Sequence, residues 1–197
     1  MAQNSTSDQI KLILDTSLNL AKENAWETVT LQQIATSTGL SKTDVEDLIQ
    51  SKNNILHLLI AQIDAKLLQN CSGNFSESDT AKDRIFEVVI ERFDLLNENR
   101  AAIKSIYKSL LKGFIPAPET FLIFRNSMMV MLEIAEVLPH KTLPTNELHI
   151  KGLALIYLAT MRVWVKDESD DLSATMASLD KHLSQADKVL KYLPLAI

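Results

Sequence analysis

The amino-acid sequence predicts an all-α protein, and three observations carry that prediction. Apolar residues recur at three- and four-residue spacing along most of the 197-residue chain, the period of a helix with one buried face. No Val/Ile/Thr-rich stretch alternates with period two, as a half-buried strand would. The four glycines and five prolines fall mostly between the periodic segments, where they punctuate.

About nine helices follow in order. The first runs from Asp8 to about Asn24, with Ile10, Ile13, Leu14, Leu18 and Ala21 on one face, and Trp26 and Val29 lead the chain back onto it. The second spans about Leu31 to Ser37, with Thr30 and Gln33 spaced as a capping box. Gly39 ends it, because glycine takes the left-handed conformation without a Cβ clash. The third, about Lys42 to Gln50, has Ser41 as N-cap and Asp44 three residues on. The fourth follows Ser51 and carries Ile55, Leu58, Leu59, Ile63 and Leu67 on one face. A polar break, NCSGNFSESDT (Asn70 to Thr80), separates an N-terminal domain, 1–70, from the remainder, 71–197, and places Cys71 in a linker. Beyond it, helices are expected at about Ala81–Asn97, Arg100–Lys112, Glu119–Leu138, Asn146–Lys166 and Asp170–Lys191. The last puts Leu172, Met176, Leu179, Leu183, Ala186 and Leu190 on one stripe.

Composition narrows the function classes. The formal charge is −5 and the pI near 5.4, so any nucleic-acid footprint must be local. One cysteine excludes an intrachain disulfide and fits a reducing compartment. The N-terminus lacks a basic region followed by an apolar run, and the most apolar stretch, Phe121 to Leu138, is broken by Arg125, Asn126, Glu133 and Glu136. A membrane span needs about 20 mostly apolar residues. A soluble cytoplasmic protein is therefore expected. Catalysis lacks support: His57, His140, His149 and His182 show no metal-ligand spacing, and no glycine-rich phosphate loop or nucleophile motif occurs. Neither a metal, a cofactor nor an enzymatic activity is expected.

The segment TVTLQQIATSTGLSKTDVEDLIQSKNNILHLLI (Thr28 to Ile60) resembles the N-terminal domain of the TetR family of transcriptional regulators. Thr30 at the cap, Ile34-Ala35, Gly39-Leu40-Ser41 and the Ser51–Leu56 run carry the resemblance without gaps. It implies a helix-turn-helix whose third helix enters the major groove, a C-terminal ligand-binding and dimerisation domain, and a homodimer formed through helices 8 and 9, whose apolar stripe could equally close the core of one chain. The candidate DNA contacts are Thr30, Ser41, Lys42, Thr43 and Lys52, with Thr30 and Lys52 at phosphate-contacting positions. Glu46 stands where the family usually has tyrosine, and Ile49 where it usually has phenylalanine. Asp44, Glu46 and Asp47 oppose a polyanion, each by about 1 kcal/mol. From Met1 to Asn70 five lysines face eight carboxylates, and the first arginine is Arg84.

A second resemblance lies in the C-terminal region. Lys82 to Ile103, together with the pattern Trp164, Asp167, Ser169, Asp171, Leu172, Thr175, Leu179 and Asp180, is similar to a lipid-binding accessory family of ubiquinone biosynthesis that has a TetR-like fold. It implies binding of a lipid or quinone without DNA. The long additional C-terminal amphipathic helix of that family is absent here, so docking to a membrane by that route is not expected. Bulky apolar residues of helices 5 to 8 either line a cavity for a small apolar ligand or pack the core: Phe86, Phe93, Tyr107, Phe114, Phe121, Phe124, Met128, Met129, Met131 and Trp164. Arg125, in mid-helix, meets an acidic head group, pairs with an acid or reaches solvent.

Overall fold

The computed structural model describes residues 2–73, 75–113, 118–138 and 143–192. Phe114, Pro116, Pro139 and His140, and the side chains of Pro144 and Leu190, lie outside the described residues. All regular structure among the described residues is helical: α1 (Ala2–Glu23), a 3-10 turn (Trp26–Thr28), α2 (Leu31–Thr38), α3 (Lys42–Ile49), α4 (Lys52–Cys71), α5 (Ala81–Asn97), α6 (Arg100–Leu111), α7 (Pro118–Ile134), α8 (Leu143–Trp164) and α9 (Ser173–Tyr192). Among the described residues no helix is long and apolar enough to cross a membrane.

The chain forms two compact units: Met1–Ile63 with Leu96–Ile123, and Asp64–Leu95 with Phe124–Ile197. This partition differs from a 1–70/71–197 division. The first unit takes in α6, and the second begins inside α4 rather than at the polar break.

In the first unit the expected apolar face of α1 is buried at Ile13, Leu14, Leu18 and Ala21. Ser17 joins it by donating its hydroxyl to the Ile13 carbonyl at 2.6 Å, which satisfies that hydroxyl inside the apolar face. Helix α1 starts six residues before Asp8, since nothing in the preceding polar run breaks a helix. Helix α2 opens with the full Thr30–Gln33 capping box and closes at Gly39, where φ is 72°. Helix α3 has a second box, Ser41–Asp44, and buries only Val45 and Ile49. A tight turn then joins it to α4: Gln50 adopts φ 61°, ψ −45°, and the Ser51 N–H donates to the Ile49 carbonyl at 2.6 Å. This γ-turn geometry is strained for a residue with a Cβ.

Helix α4 continues through Cys71, which is a buried helix residue and not a linker residue. Burial, with Glu91 and Glu87 nearby, pushes its thiol up to about 11, so it is poorly suited to nucleophilic work. Thr80 and Asp83 exchange hydrogen bonds of 3.1 and 3.2 Å across the first turn of α5.

The second unit is built around a charged core. Arg92, 3% exposed, donates to the Asp64 carboxylate, which also accepts from Ser127 Oγ at 2.7 Å. The Arg92 guanidinium lies 5.7 Å from the Tyr157 ring centre, and its Nε is 3.4 Å from the Tyr157 hydroxyl. Phe93 stacks on Tyr157 with centroids 5.2 Å apart and leans on the fully buried Trp164 at 6.0 Å. Helix α7 ends at Ile134, earlier than the expected Leu138. Glu136 takes φ 55°, while the Val137 and Glu136 N–H groups donate to Leu132 and Glu133. That Schellman pairing closes the helix before Pro139.

Helix α9 starts at Ser173 rather than Asp170 because the acidic turn is its cap. Asp167, 5% exposed, accepts from Ser169 N (3.1 Å), Thr175 N (2.8 Å), Thr175 Oγ1 (2.6 Å) and Ser169 Oγ. Asp171 accepts from Ser173 N at 3.1 Å, and Leu172 sits at φ 55° with its side chain buried. The Trp164–Asp167–Ser169–Thr175 pattern thus has a local structural role, closing α8 and opening α9.

Two predictions follow from these groups. Replacing Arg92 by alanine leaves Asp64 without its cation and is expected to cost about 3–5 kcal/mol, read from the urea midpoint. Replacing both partners, by Arg92→Met with Asp64→Leu, should restore most of that loss. Burial alone would raise the Asp167 carboxyl, but the hydrogen bonds from Ser169 and Thr175 bring it down to about 2. A folded value below the unfolded one gives stability that is complete above about pH 4 and fades as pH falls toward 2. Asp167→Asn should therefore lower the thermal midpoint at pH 7, and the gap to wild type should shrink in that acid window.

Candidate functional site

The structure places the expected DNA-contacting residues on the α2–turn–α3 pair and at the start of α4. Val45 and Ile49 hold α3 down by one face, which leaves Lys42, Thr43, Asp44, Glu46 and Asp47 exposed. These side chains are not equivalent. Asp44 Oδ2 accepts from the Ser41 N–H at 3.3 Å, while Ser41 Oγ accepts the Asp44 N–H at 3.0 Å. Glu46 pairs with Lys42 at 3.3 Å, one turn back. Of the three carboxylates on α3, one caps the helix and one is neutralised by a neighbour. Asp47 alone has no partner among the described residues.

The cations and hydroxyls are similarly engaged. The Thr30 hydroxyl accepts from Gln33 N (3.2 Å) and donates to Gln33 Oε1 (3.1 Å). Lys52 turns inward, donates to the Trp26 carbonyl and lies 4.5 Å from the Trp26 ring centre. Burial there pushes its ammonium below the ordinary lysine range, with Glu27 pulling the other way. Two of the residues expected at DNA, Lys42 and Lys52, are thus bound to the protein itself.

The Trp26 turn extends this arrangement to α6. Ser105 Oγ accepts the Trp26 N–H and donates to the Asn24 carbonyl, both at 3.0 Å. Ser109 Oγ accepts the Glu27 N–H at 3.3 Å and donates to the Glu27 carboxylate, while Lys112 reaches the same carboxylate at 2.9 Å. The Ser109 and Lys112 hydrogen bonds hold the Glu27 carboxyl down at about 2. Sequence reasoning missed this latch, since its halves lie more than 80 positions apart.

The residues expected around an apolar ligand do not converge on one opening. Phe93, Met128, Met131 and Trp164 are buried core of the second unit. Phe124 packs on Tyr157 at 5.9 Å, and Arg125 pairs with Glu147. Tyr107 and Phe121 belong to the first unit, where Phe121 is mostly exposed. The second unit instead has an apolar groove of about 420 Å³, lined by Ile85, Leu132, Leu148, Leu153, Leu183 and Val189, with Gly152 on its wall. Lys82, His149 and Asp187 supply polar groups to the same lining, and Lys82 is bridged to Asp180 at 2.6 Å. Leu148, Gly152, Leu153 and Ile156 bring α8 to this lining, and only the fold shows that they face an opening.

Comparison with solved structures gives the fold its relatives. The chain is similar to a TetR transcriptional regulator from Nitrosomonas europaea ATCC 19718, with TM-score 0.72 and 22% identity over 91% of this chain and 98% of that one. It is similar to a TetR transcriptional regulator from Rhodococcus sp. RHA1, with TM-score 0.67 and 16% identity over 100% of both chains. A more distant likeness, TM-score 0.51 and 16% identity over 92% of this chain and 93% of the other, is to the dihydroxyacetone kinase operon activator DhaS. No protein-family model and no curated sequence matches. The chain has the fold of the TetR transcriptional regulators.

Proposed function

From that fold, we propose that the protein is a DNA-binding transcriptional regulator whose operator affinity is set by a small apolar ligand. The observation that carries the reading is the doubly capped α2–Gly39–α3 pair, which buries Val45 and Ile49 and presents Lys42 and Thr43 outward. Thr43 supplies a hydroxyl for a base edge or phosphate, and Lys42 a cation shared with Glu46. Thr30 and Ser41 position the pair on the DNA backbone, and Lys52 joins them only by leaving the Trp26 carbonyl. The ligand occupies the groove lined by Leu148, Gly152 and Leu183 and favours one of two arrangements with different operator affinity. The active form is a homodimer through α8 and α9, whose Leu155 (71% exposed), Leu158 and Val189 are otherwise open to solvent.

A second reading has its own support: the engaged state of Lys42 and Lys52 favours a carrier of a lipid or quinone that uses the groove and does not bind DNA. Selection of genomic fragments separates the two. A regulator should enrich a palindromic site whose affinity falls steeply with salt, and the absence of salt-sensitive enrichment would remove that reading. Glu46→Gln, which frees Lys42 and removes a charge, should raise operator affinity severalfold, equivalent to about 1 kcal/mol, and Lys42→Ala should lower it. Either function requires the groove. A Cβ at Gly152 meets nothing within 4 Å, so Gly152→Leu should fill the groove without unfolding the chain. Binding of a fluorescent fatty-acid probe should then be lost while the thermal midpoint holds.

A further inference from the structure

We propose that the first unit carries a second binding site, for a compact polyanion bearing two or more phosphate groups, in the groove between the end of α1 and α6. The groove, open to solvent, has a volume of about 370 Å³ and is lined by Lys22 from α1, by Lys104 and Lys108 from α6 and by Lys112 at its C-cap, with the Ser105 hydroxyl among them. A volume of about 300–1,000 Å³ suits a small ligand. Lys104, Lys108 and the C-cap Lys112 are spaced four apart, so successive turns set them in one strip.

Their partners decide what the groove can hold. Lys112 is engaged by Glu27 at 2.9 Å. Lys22 donates to the Asn19 amide oxygen at 3.1 Å and has no carboxylate, and Lys104 and Lys108 have no partner among the described residues. Three ammonium groups without a counter-charge thus line one concavity, against Glu23 as the remaining acid of the lining. Like charges at this spacing repel and destabilise the helix that carries them. An acid interleaved on the strip would relieve that repulsion, as Glu46 does for Lys42 on α3, but none is present between Lys104 and Lys112. The unit as a whole has eight lysines and arginines against nine carboxylates, and α6 with its C-cap Lys112 supplies four of the eight.

The size of the groove favours a small ligand over a duplex, since a volume of about 370 Å³ takes a few phosphate groups and not a double helix. Phosphate oxygens seated among Lys22, Lys104 and Lys108 would tie α1 to α6, the two helices that already hold the Trp26 turn between them. This site is distinct from the apolar groove of the second unit and does not depend on whether the protein binds DNA.

Inorganic tripolyphosphate titrated into the full-length protein by calorimetry at low salt provides the test. Saturable binding to one site per chain is expected, with a rise in thermal midpoint that sodium chloride at equal ionic strength does not reproduce. Lys104→Ala with Lys108→Ala should weaken binding by about tenfold or more, whereas Lys181→Ala with Lys188→Ala on α9 should leave it unchanged. Backbone NMR of the unaltered protein should show the Lys22, Ser105 and Lys108 amides shifting together, a readout that does not depend on the variants folding. Non-saturable binding, equal loss in both lysine pairs, or shifts elsewhere overturns the proposal. So does a random-sequence duplex that binds through Lys104 and Lys108 and is not displaced by tripolyphosphate.

Discussion

The turn at Trp26 is the constraint on which the first unit depends. Its backbone leaves the helical hydrogen-bonding pattern while the Trp26 side chain is fully buried, so the amides of Trp26 and Glu27 need partners that their own segment does not supply. Ser105 and Ser109 of α6 provide them, and Lys52 of α4 takes the Trp26 carbonyl. One short turn thereby fixes α1, α4 and α6 together. This is why α6, far along the chain, belongs to the same compact unit as the helix-turn-helix. The same requirement diverts Lys52 from the surface.

The second unit solves a different problem. Its aromatic core, Phe93, Tyr157 and Trp164, encloses the Arg92 guanidinium, and a buried charge of that kind persists only when paired and hydrogen-bonded. Asp64 of α4 and Tyr157 of α8 do this directly, and Ser127 of α7 acts through Asp64 by donating to its carboxylate. The arrangement specifies how α5 is rotated about its axis, since a turn of the helix would leave the charge unpaired among apolar neighbours. Asp167 plays the corresponding part at the α8–α9 corner.

The three carboxylates of α3 read as an argument against DNA when counted, and less so when placed. Asp44 is a helix cap and Glu46 is half of an ion pair, which leaves Asp47 as the open negative charge. The cost of that arrangement falls on Lys42, since its charge is already shared. Whatever α3 meets must compete with contacts inside the protein, and this holds equally for Lys52.

The sequence by itself determined the helices and their caps. Thr30 with Gln33, Gly39, and Ser41 with Asp44 act within four residues, and apolar spacing marks the buried faces of α1, α4 and α9. Boundaries slipped where a local device lacked a compositional sign: Glu136 and Leu172 adopt positive φ without being glycine, and the acidic turn before α9 is a cap and not its first turn. The Arg92–Asp64 pair was not legible, because its two members lie 28 positions apart on different helices. Only the tertiary structure decided which charges are neutralised, which unit owns α6, and that the apolar opening is lined by Leu148, Gly152 and Val189 rather than by the largest aromatics. Those outcomes depend on side chains brought together from distant positions, and periodicity along one helix carries no information about what faces it across a core.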